Sequence, residues 1–170
     1  MIAPTLRGVR GVYRPLMIED APALFVAHAD PVVHHFWSGP AHGTLEGSIA
    51  HTTATLAVKN SLHWAITRDG GEALGRMSLV IPREGVGEIG VILRADAQGN
   101  GLCGEALRLV AAHGFGALGL HRIQADIDPD NAASLRLFER NGFQREGVLR
   151  ANWKTHIGLR DSVILARFAD

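Results

Sequence analysis

Asp96-Ala-Gln-Gly-Asn-Gly-Leu-Cys-Gly-Glu-Ala106 places three glycines between two apolar segments of different periodicity. Before it, Val91–Leu93 is a continuous apolar run; after it, apolar side chains recur at helical spacing from Leu102 to Val110. The stretch therefore predicts a strand, a glycine loop and a helix. Glycine backbones approach a ligand closely, and the first turn of a helix has unpaired N–H groups with partial positive charge. We expect this loop to bind an anion, most simply a phosphate.

The same glycines satisfy G-x-G-x-x-G, the dinucleotide-binding pattern, and Asp126 lies roughly where a ribose-binding acid would fall. In that fold the strand runs almost directly into the first glycine, whereas here Arg94–Gln98 intervene. Roughly ninety residues precede the loop, and too few follow it for the remaining strand and helix units. The dinucleotide match is therefore a weak one.

Two segments resemble motifs of the GNAT N-acetyltransferase superfamily. Gln98-Gly-Asn-Gly-Leu-Cys103 is similar to its Q/R-x-x-G-x-G/A acetyl-CoA loop, and Asn131–Phe143 is similar to its N-x-x-[AS]-x-x-[LF]-[YF]-x-x-x-G-F segment. Leu62–Ser78 resembles the central hairpin of the superfamily, and Glu88-Ile-Gly-Val91 resembles the E-I-G-Y strand of its RimJ/RimL-type branch. The resemblance covers nearly the whole chain and implies an acetyl-CoA-dependent N-acetyltransferase.

Length and composition predict one domain across residues 1–170. The chain is 46% hydrophobic, enough for one core, and its 17 basic and 17 acidic residues give a formal charge of zero. Such a balance gives no electrostatic support for nucleic acid or an anionic membrane as partner. Cys103 is the sole cysteine, which fits a reducing cytoplasm, and we see neither a signal peptide nor a membrane span.

Hydrophobic periodicity and turn residues predict the order of the elements. Helices are expected after Pro22, over Thr44–Asn60, after Gly101 and from Asn131 to a left-handed end at Gly142. Strands are expected at Val9–Leu16, Leu62–Ile66, Ala73–Ile81, Val86–Leu93, Leu120–Ile127, Phe143–Arg150 and Asp161–Phe168. The expected fold is α/β: a GNAT-like mixed, mainly antiparallel sheet of about 6–7 strands, flanked by about four helices.

The resemblance implies acetyl-CoA as co-substrate and assigns residues to its binding. The backbone of Val91, Ile92 and Leu93 would pair with the pantetheine as an added strand would. The loop amides would hold the pyrophosphate; the residues concerned are Gln98, Gly99, Asn100, Gly101, Leu102, Cys103 and Gly104. Asn131 matches a cofactor-contacting asparagine of the family, although it could equally be a helix N-cap, or both.

Acetyl transfer in the resembled family is a direct attack, which needs a base for the amine and a proton for the departing thiolate. Glu88 shares a strand face with Gly90 and is our candidate base, with His156 and Asp161 in reserve. Phe138 stands where many members have a proton-donating tyrosine, so Ser134, one helical turn earlier, becomes the candidate donor. Alternatively, Glu88 is a surface carboxylate and Ser134 is solvated or bonded to a backbone carbonyl.

The segment between the first two helices forms one wall of the acceptor cleft in the resembled family. His34, His35 and Trp37 in this segment, and Trp153 later in the chain, are therefore candidate substrate-binding residues. The alternative is that Trp37 seals the edge of the core while the histidines are solvated. We expect no metal, because adjacent histidines seldom point the same way and no third ligand is identifiable.

The acceptor is expected to be either a protein N-terminal α-amine or a small-molecule amine. An α-amine loses its proton more readily than lysine, because its ordinary pKa is near 8. The competing class is a non-catalytic acyl-CoA or nucleotide-binding module. The protein could be a monomer or a homodimer.

Overall fold

An eight-stranded, mainly antiparallel sheet forms the centre of the structure, a computed structural model that describes residues 1–169. The strands are β1 (Leu6–Arg7), β2 (Val12–Pro15), β3 (Ser61–Thr67), β4 (Gly75–Arg83), β5 (Val86–Leu93), β6 (Arg122–Ile127), β7 (Gln144–Thr155) and β8 (Gly158–Phe168). The helices are α1 (Ala21–His28), α2 (Leu45–Leu56), α3 (Leu102–Gly116) and α4 (Ala132–Glu139). The strand order is β1-β2-β3-β4-β5-β6-β8-β7, and only β5 and β6 pair in parallel.

The predicted fold class is confirmed, and the differences concern the bounds of the elements. The strand expected at Val9–Leu16 is shorter and follows a turn in which Gly8 N–H donates to Gly11 O at 2.9 Å, and this turn adds β1 to the sheet. Helix α2 ends at Leu56, before the predicted Asn60, which has a φ of 52°. No helix in the described part of the chain has the length and apolarity needed to cross a membrane.

Helix α3 covers one face of the sheet because its buried side chains form a continuous apolar stripe. Leu102, Ala106 and Val110 of α3 belong to one core cluster with Trp64 and Met77 of the sheet. The opposite face carries α1, whose Leu24 packs with Ala65, the strand neighbour of Trp64. The α1 side of β3 and β4 therefore faces away from the main core.

The ends of α4 follow the sequence signals. The Asn131 side chain accepts a hydrogen bond from Ser134 N–H at 3.1 Å, which makes it the N-cap. At the other end Gly142 has a φ of 85°, and Phe143 N–H donates to Phe138 O at 3.2 Å. The two phenyl rings pack edge to face at 5.0 Å, so the predicted left-handed ending is confirmed.

The hairpin of β7 and β8 is longer than predicted. The strands continue through residues 151–160, which the sequence suggested as a connection, and leave a short turn at residues 156–157. Ala151 has a φ of 49° at an irregularity where Leu149 pairs with Ser162 but Trp153 pairs with Arg160. The sequence did not predict that the strands continue, because this bulge interrupts the two-residue alternation that is typical of a strand.

Candidate active site

A cleft of about 1170 Å³ opens where β5 and β6 separate. The two strands pair only from Val86 to Glu88 on β5, after which β6 continues along β8 while β5 runs on to Leu93. The β5 backbone from residue 89 to residue 93 therefore has a strand partner on the β4 side alone. Backbone groups on the other side are available to a ligand.

The glycine loop closes one end of this cleft. Gly99 and Gly101 have φ angles of 80° and 83°, a left-handed conformation that favours glycine. The Gln98 side chain donates to Leu93 O at 3.1 Å and fastens the loop to the end of β5. Among residues 1–169, no side chain caps the N-terminus of α3. Its first-turn N–H groups face the cleft and are therefore available to an anion.

Basic side chains that the sequence reading did not single out line the same cleft: Arg10, Arg108, Arg136 and Arg140. Arg10 Nη1 donates to Asn100 O at 3.2 Å, and Arg108 Nη1 donates to Asn141 Oδ1 at 3.0 Å. These arginines come from distant parts of the chain. A formal charge of zero therefore conceals a local concentration of positive charge suited to phosphates.

A buried carboxylate ties the N-terminal segment to the glycine loop. Glu105, in the first turn of α3, accepts hydrogen bonds from Val9 N–H at 2.9 Å, Arg10 N–H at 2.9 Å and Gly11 N–H at 3.1 Å. It also accepts the Tyr13 hydroxyl at 2.8 Å. Burial opposes ionisation, but these hydrogen bonds hold the pKa of Glu105 below its ordinary value.

Tyr13 is the only tyrosine in the chain, and it lies far from the glycine loop in the sequence. It is fully buried beneath the start of α3, within 3.1 Å of Leu102 O. Burial and the Glu105 carboxylate raise its pKa far above the ordinary value, so it remains protonated. Tyr13 therefore supports the loop and does not line the cleft.

Glu88 lies on the cleft face of β5, at the last residue that pairs with β6. Gln124 Nε2 donates to Glu88 Oε2 at 3.1 Å, and Oε1 has no protein partner in residues 1–169. Beside Glu88, Gly90 has open space where a Cβ would stand. An amine in this space would be within reach of a half-buried carboxylate.

Ser134, on α4, lines the cleft and is half-buried. Its Oγ makes no hydrogen bond within the described residues, so the backbone-bonded alternative does not apply. Phe138, one turn later, is 2% exposed and packs against Phe143. Burial raises the pKa of the nearby Cys103 thiol to about 12, which keeps it protonated at neutral pH and unsuited to nucleophilic attack.

The predicted acceptor-binding residues separate into two groups. Trp37 and Trp153 line the cleft, and Trp153 Nε1 donates to Asp126 Oδ2 at 2.8 Å. His34 is buried behind Trp37 with its ring stacked at 5.8 Å, whereas His35 is exposed and does not line the cleft. The alternative that Trp37 only seals the core therefore does not fit its position.

The two reserve bases have structural partners. The turn between β7 and β8 is held against the segment of Trp37 through His156, whose N–H donates to Ser38 O at 3.1 Å. His156 does not line the cleft. Asp161 does, but its Oδ1 accepts Ala151 N–H at 2.8 Å and so stabilises the bulge.

Behind Trp37 lies a group of side chains that we term the imidazole cluster: His28, His34, His42 and His51. Neighbouring ring centroids are 4.8 to 6.0 Å apart. Burial, followed by the positive charge of Arg76, lowers the pKa of His28 to about 3 and of His51 to about 4. From residue 1 to residue 169, no group of three or more His, Cys, Asp or Glu side chains is arranged to hold a metal ion.

Comparison with known proteins matches the Acetyltransferase (GNAT) domain to residues 10–144. The chain is 32% identical over 153 residues to the uncharacterized N-acetyltransferase YoaA of Bacillus subtilis (strain 168), and the match covers 86% of each protein.

Two solved structures extend the likeness to three dimensions. The crystal structure assigned to an acetyltransferase of T. thermophilus superposes with a TM-score of 0.87 at 32% identity, over 98% of this chain and 89% of that one. RimJ of Mycobacterium smegmatis in complex with CoA-disulfide superposes with a TM-score of 0.81 at 26% identity, over 97% of this chain and 86% of that one.

Proposed function

Because this chain belongs to the GNAT acetyltransferase family and is an N-acetyltransferase, we propose that acetyl-CoA binds in the cleft between β5 and β6. The observation that carries the proposal is the separation of these strands after Glu88, directly beside an anion-binding loop. The CoA-disulfide held by RimJ, a protein of similar fold, supports a coenzyme A ligand here.

Each part of acetyl-CoA has matching groups in the cleft. The loop N–H groups from residue 99 to residue 104 and the α3 N-terminus bind the diphosphate, with Arg10 and Arg108 adding charge. The unpaired edge of β5 from residue 89 to residue 93 hydrogen-bonds the pantetheine in the manner of an added strand. The thioester then lies at the inner end of the cleft, near Gly90 and Glu88.

Acetyl transfer at this position needs one attack, the loss of two protons from the nitrogen and the return of one proton to the thiolate. Glu88 takes a proton from the bound ammonium, directly or through one water, and frees the lone pair of the nitrogen. The nitrogen attacks the thioester carbonyl and a C–N bond forms. The nitrogen then gives its second proton to solvent, and the C–S bond breaks as the tetrahedral intermediate collapses. The Ser134 hydroxyl donates a hydrogen bond to the departing thiolate, which takes up a proton from solvent. A backbone N–H of β5 stabilises the negative charge on the carbonyl oxygen.

The acceptor is a primary amine, either a protein N-terminus or a small molecule. The cleft wall that would contact it contains Trp37 and Trp153. The free Glu88 oxygen next to Gly90 suits an α-amine in particular, because such an amine needs less help to lose its proton than a lysine does.

A thiol-release assay with acetyl-CoA against peptides and small amines tests the proposal. We expect E88Q to lower kcat by about 100-fold, because it removes the base, and S134A by about 10-fold, because it removes the hydrogen bond to the departing thiolate. Calorimetric affinity for acetyl-CoA should stay unchanged in both. E84Q is the matched control, since Glu84 is exposed in the turn between β4 and β5. A parent protein that binds acetyl-CoA but releases no thiol with any amine would be a binding module, contrary to the proposal.

A further inference from the structure

Arg76 is a buried cation without an anionic partner in the part of the chain that the structure describes. It lies on β4, lines the cleft and is 5% exposed. Its Nη1 donates to Ser78 Oγ at 3.0 Å, its Nη2 contacts His51 Nε2 at 3.1 Å, and its Nε is buried with no partner. The ion pairs found within residues 1–169 all involve other arginines.

The surroundings do not neutralise this charge. Burial lowers the pKa of Arg76 to about 10, so the guanidinium is still charged at neutral pH. Burial and Arg76 itself lower the pKa of His51 and His63 to about 4, so both imidazoles are neutral there and supply no negative charge. An unpaired charge removed from water is strongly unfavourable, and a bound anion would compensate it.

The position of Arg76 relates it to the candidate base. Arg76 pairs with Ile92 and Ser78 pairs with Gly90, so these residues share the face of the sheet that carries Glu88. The bond to Ser78 shows that the guanidinium extends from the Arg76–Ile92 pair toward the Ser78–Gly90 pair. Glu88 lies two residues from Gly90, which is about 7 Å further along the strand.

The Trp37 ring lies over the guanidinium, with the central carbon 5.2 Å from the ring centroid. Trp37 is itself part of the cleft wall. A ligand in the cleft beside Trp37 would therefore meet the cation of Arg76 at one end and the carboxylate of Glu88 at the other.

We propose that the amine acceptor is a small molecule that carries a carboxylate, and that Arg76 binds this carboxylate while the amine lies beside Glu88. The inference rests on the proposed function. The separation of about 7 Å along the strand between Gly90, which the guanidinium approaches, and Glu88 suits an amine and a carboxylate a few bonds apart, as in an amino acid. The α-amine of a protein N-terminus has an uncharged peptide carbonyl at the corresponding distance, which would leave the charge of Arg76 uncompensated.

The test compares turnover of amino acids with turnover of their primary amides, which have nearly the same shape but no charge. We expect the parent to favour the acid by about 100-fold in kcat/KM, because a buried charge pair is made only with the acid. In R76M this ratio should fall to within about threefold of unity, whereas R76K should retain part of it. R83M is the matched control, since Arg83 is exposed at the far end of β4, and its ratio should equal that of the parent.

A second measurement covers the case in which R76M does not fold. Small carboxylates that lack an amine, such as propionate and succinate, should raise the Tm of the parent, while the matching amides should not. Equal turnover of acids and amides by the parent, without such a Tm shift, would overturn the carboxylate inference and leave the acetyltransferase proposal standing. Absence of turnover with every amine would overturn the proposed function, and the Tm shift alone would then support or overturn carboxylate binding.

Discussion

The Glu105 network offers a sharp test of how the fold holds the glycine loop. In E105Q one carboxylate oxygen becomes an NH₂ group, which faces backbone N–H groups instead of accepting from them. The variant also loses the charge that strengthens the remaining hydrogen bonds. An unsatisfied buried donor costs about 1–3 kcal/mol and charge-assisted bonds are worth about twice neutral ones, so we expect a loss of about 3 kcal/mol in the free energy of unfolding.

Y13F is the matched control for this variant. It removes the hydroxyl, and with it the 2.8 Å bond to Glu105 and the 3.1 Å contact with Leu102 O, but leaves the three backbone bonds to Glu105 in place, so a loss of about 1 kcal/mol is expected. Urea denaturation measures both values.

E105Q should also weaken binding of the cofactor. Glu105 fixes the backbone at Arg10, and the Arg10 side chain contacts Asn100 in the loop. We therefore expect E105Q to weaken acetyl-CoA binding by about 10-fold, measured by calorimetry at a temperature where the variant is folded, whereas Y13F should weaken it by less than about twofold. An E105Q protein as stable as the parent, to within about 0.5 kcal/mol, would show that the carboxylate does not hold the two segments together.

Three further changes probe the cleft and its surroundings. G90V fills open space with a residue that suits a strand, so Tm should change by less than about 3 °C while kcat/KM falls by more than about 10-fold in the thiol-release assay. G99A and G101A each impose a left-handed φ costing about 1 kcal/mol, but only the new methyl of G101A would meet Arg10, at 3.0 Å, so calorimetry should show the weaker acetyl-CoA binding for G101A. In the imidazole cluster, the folded pKa values of His28 and His51 are about 3 and about 4, below the unfolded value of 6.5. The stability that these neutral rings contribute to the fold is therefore complete above pH 6.5 and is lost as the pH falls toward 4. Urea denaturation should show a loss of about 2–3 kcal/mol per pH unit in that window, because two histidines each contribute about 1.4 kcal/mol, and a flat profile would contradict the lowered values.

Local signals predicted the parts of the fold that depend on neighbouring residues. The left-handed ending of α4 at Gly142, the cap at Asn131 and the start of α3 after Gly101 all follow from spacings of a few residues. Backbone conformation and helix capping act over this range. The parallel pairing of β5 with β6 is consistent with the helix that connects them.

Features that join distant segments were outside the reach of these patterns. The bond between Tyr13 and Glu105 spans 92 positions, and the imidazole cluster brings together residues from 28 to 51 around Arg76. Neither feature produces a periodic pattern in the sequence, because each contact depends on which strands become neighbours in the sheet. The basic lining of the cleft was hidden for the same reason, since composition reports only the sum of charges.

The one-sided pairing of β5 has a consequence for hydrogen exchange. Successive amides of a strand point to opposite edges, so those from residue 89 to residue 93 alternate between β4 and the gap. In the free protein, protected and unprotected amides should therefore alternate along this strand. Bound acyl-CoA would slow the exchange of the gap-facing amides and remove the alternation, so that deuterium uptake reports occupancy of the cleft without any turnover.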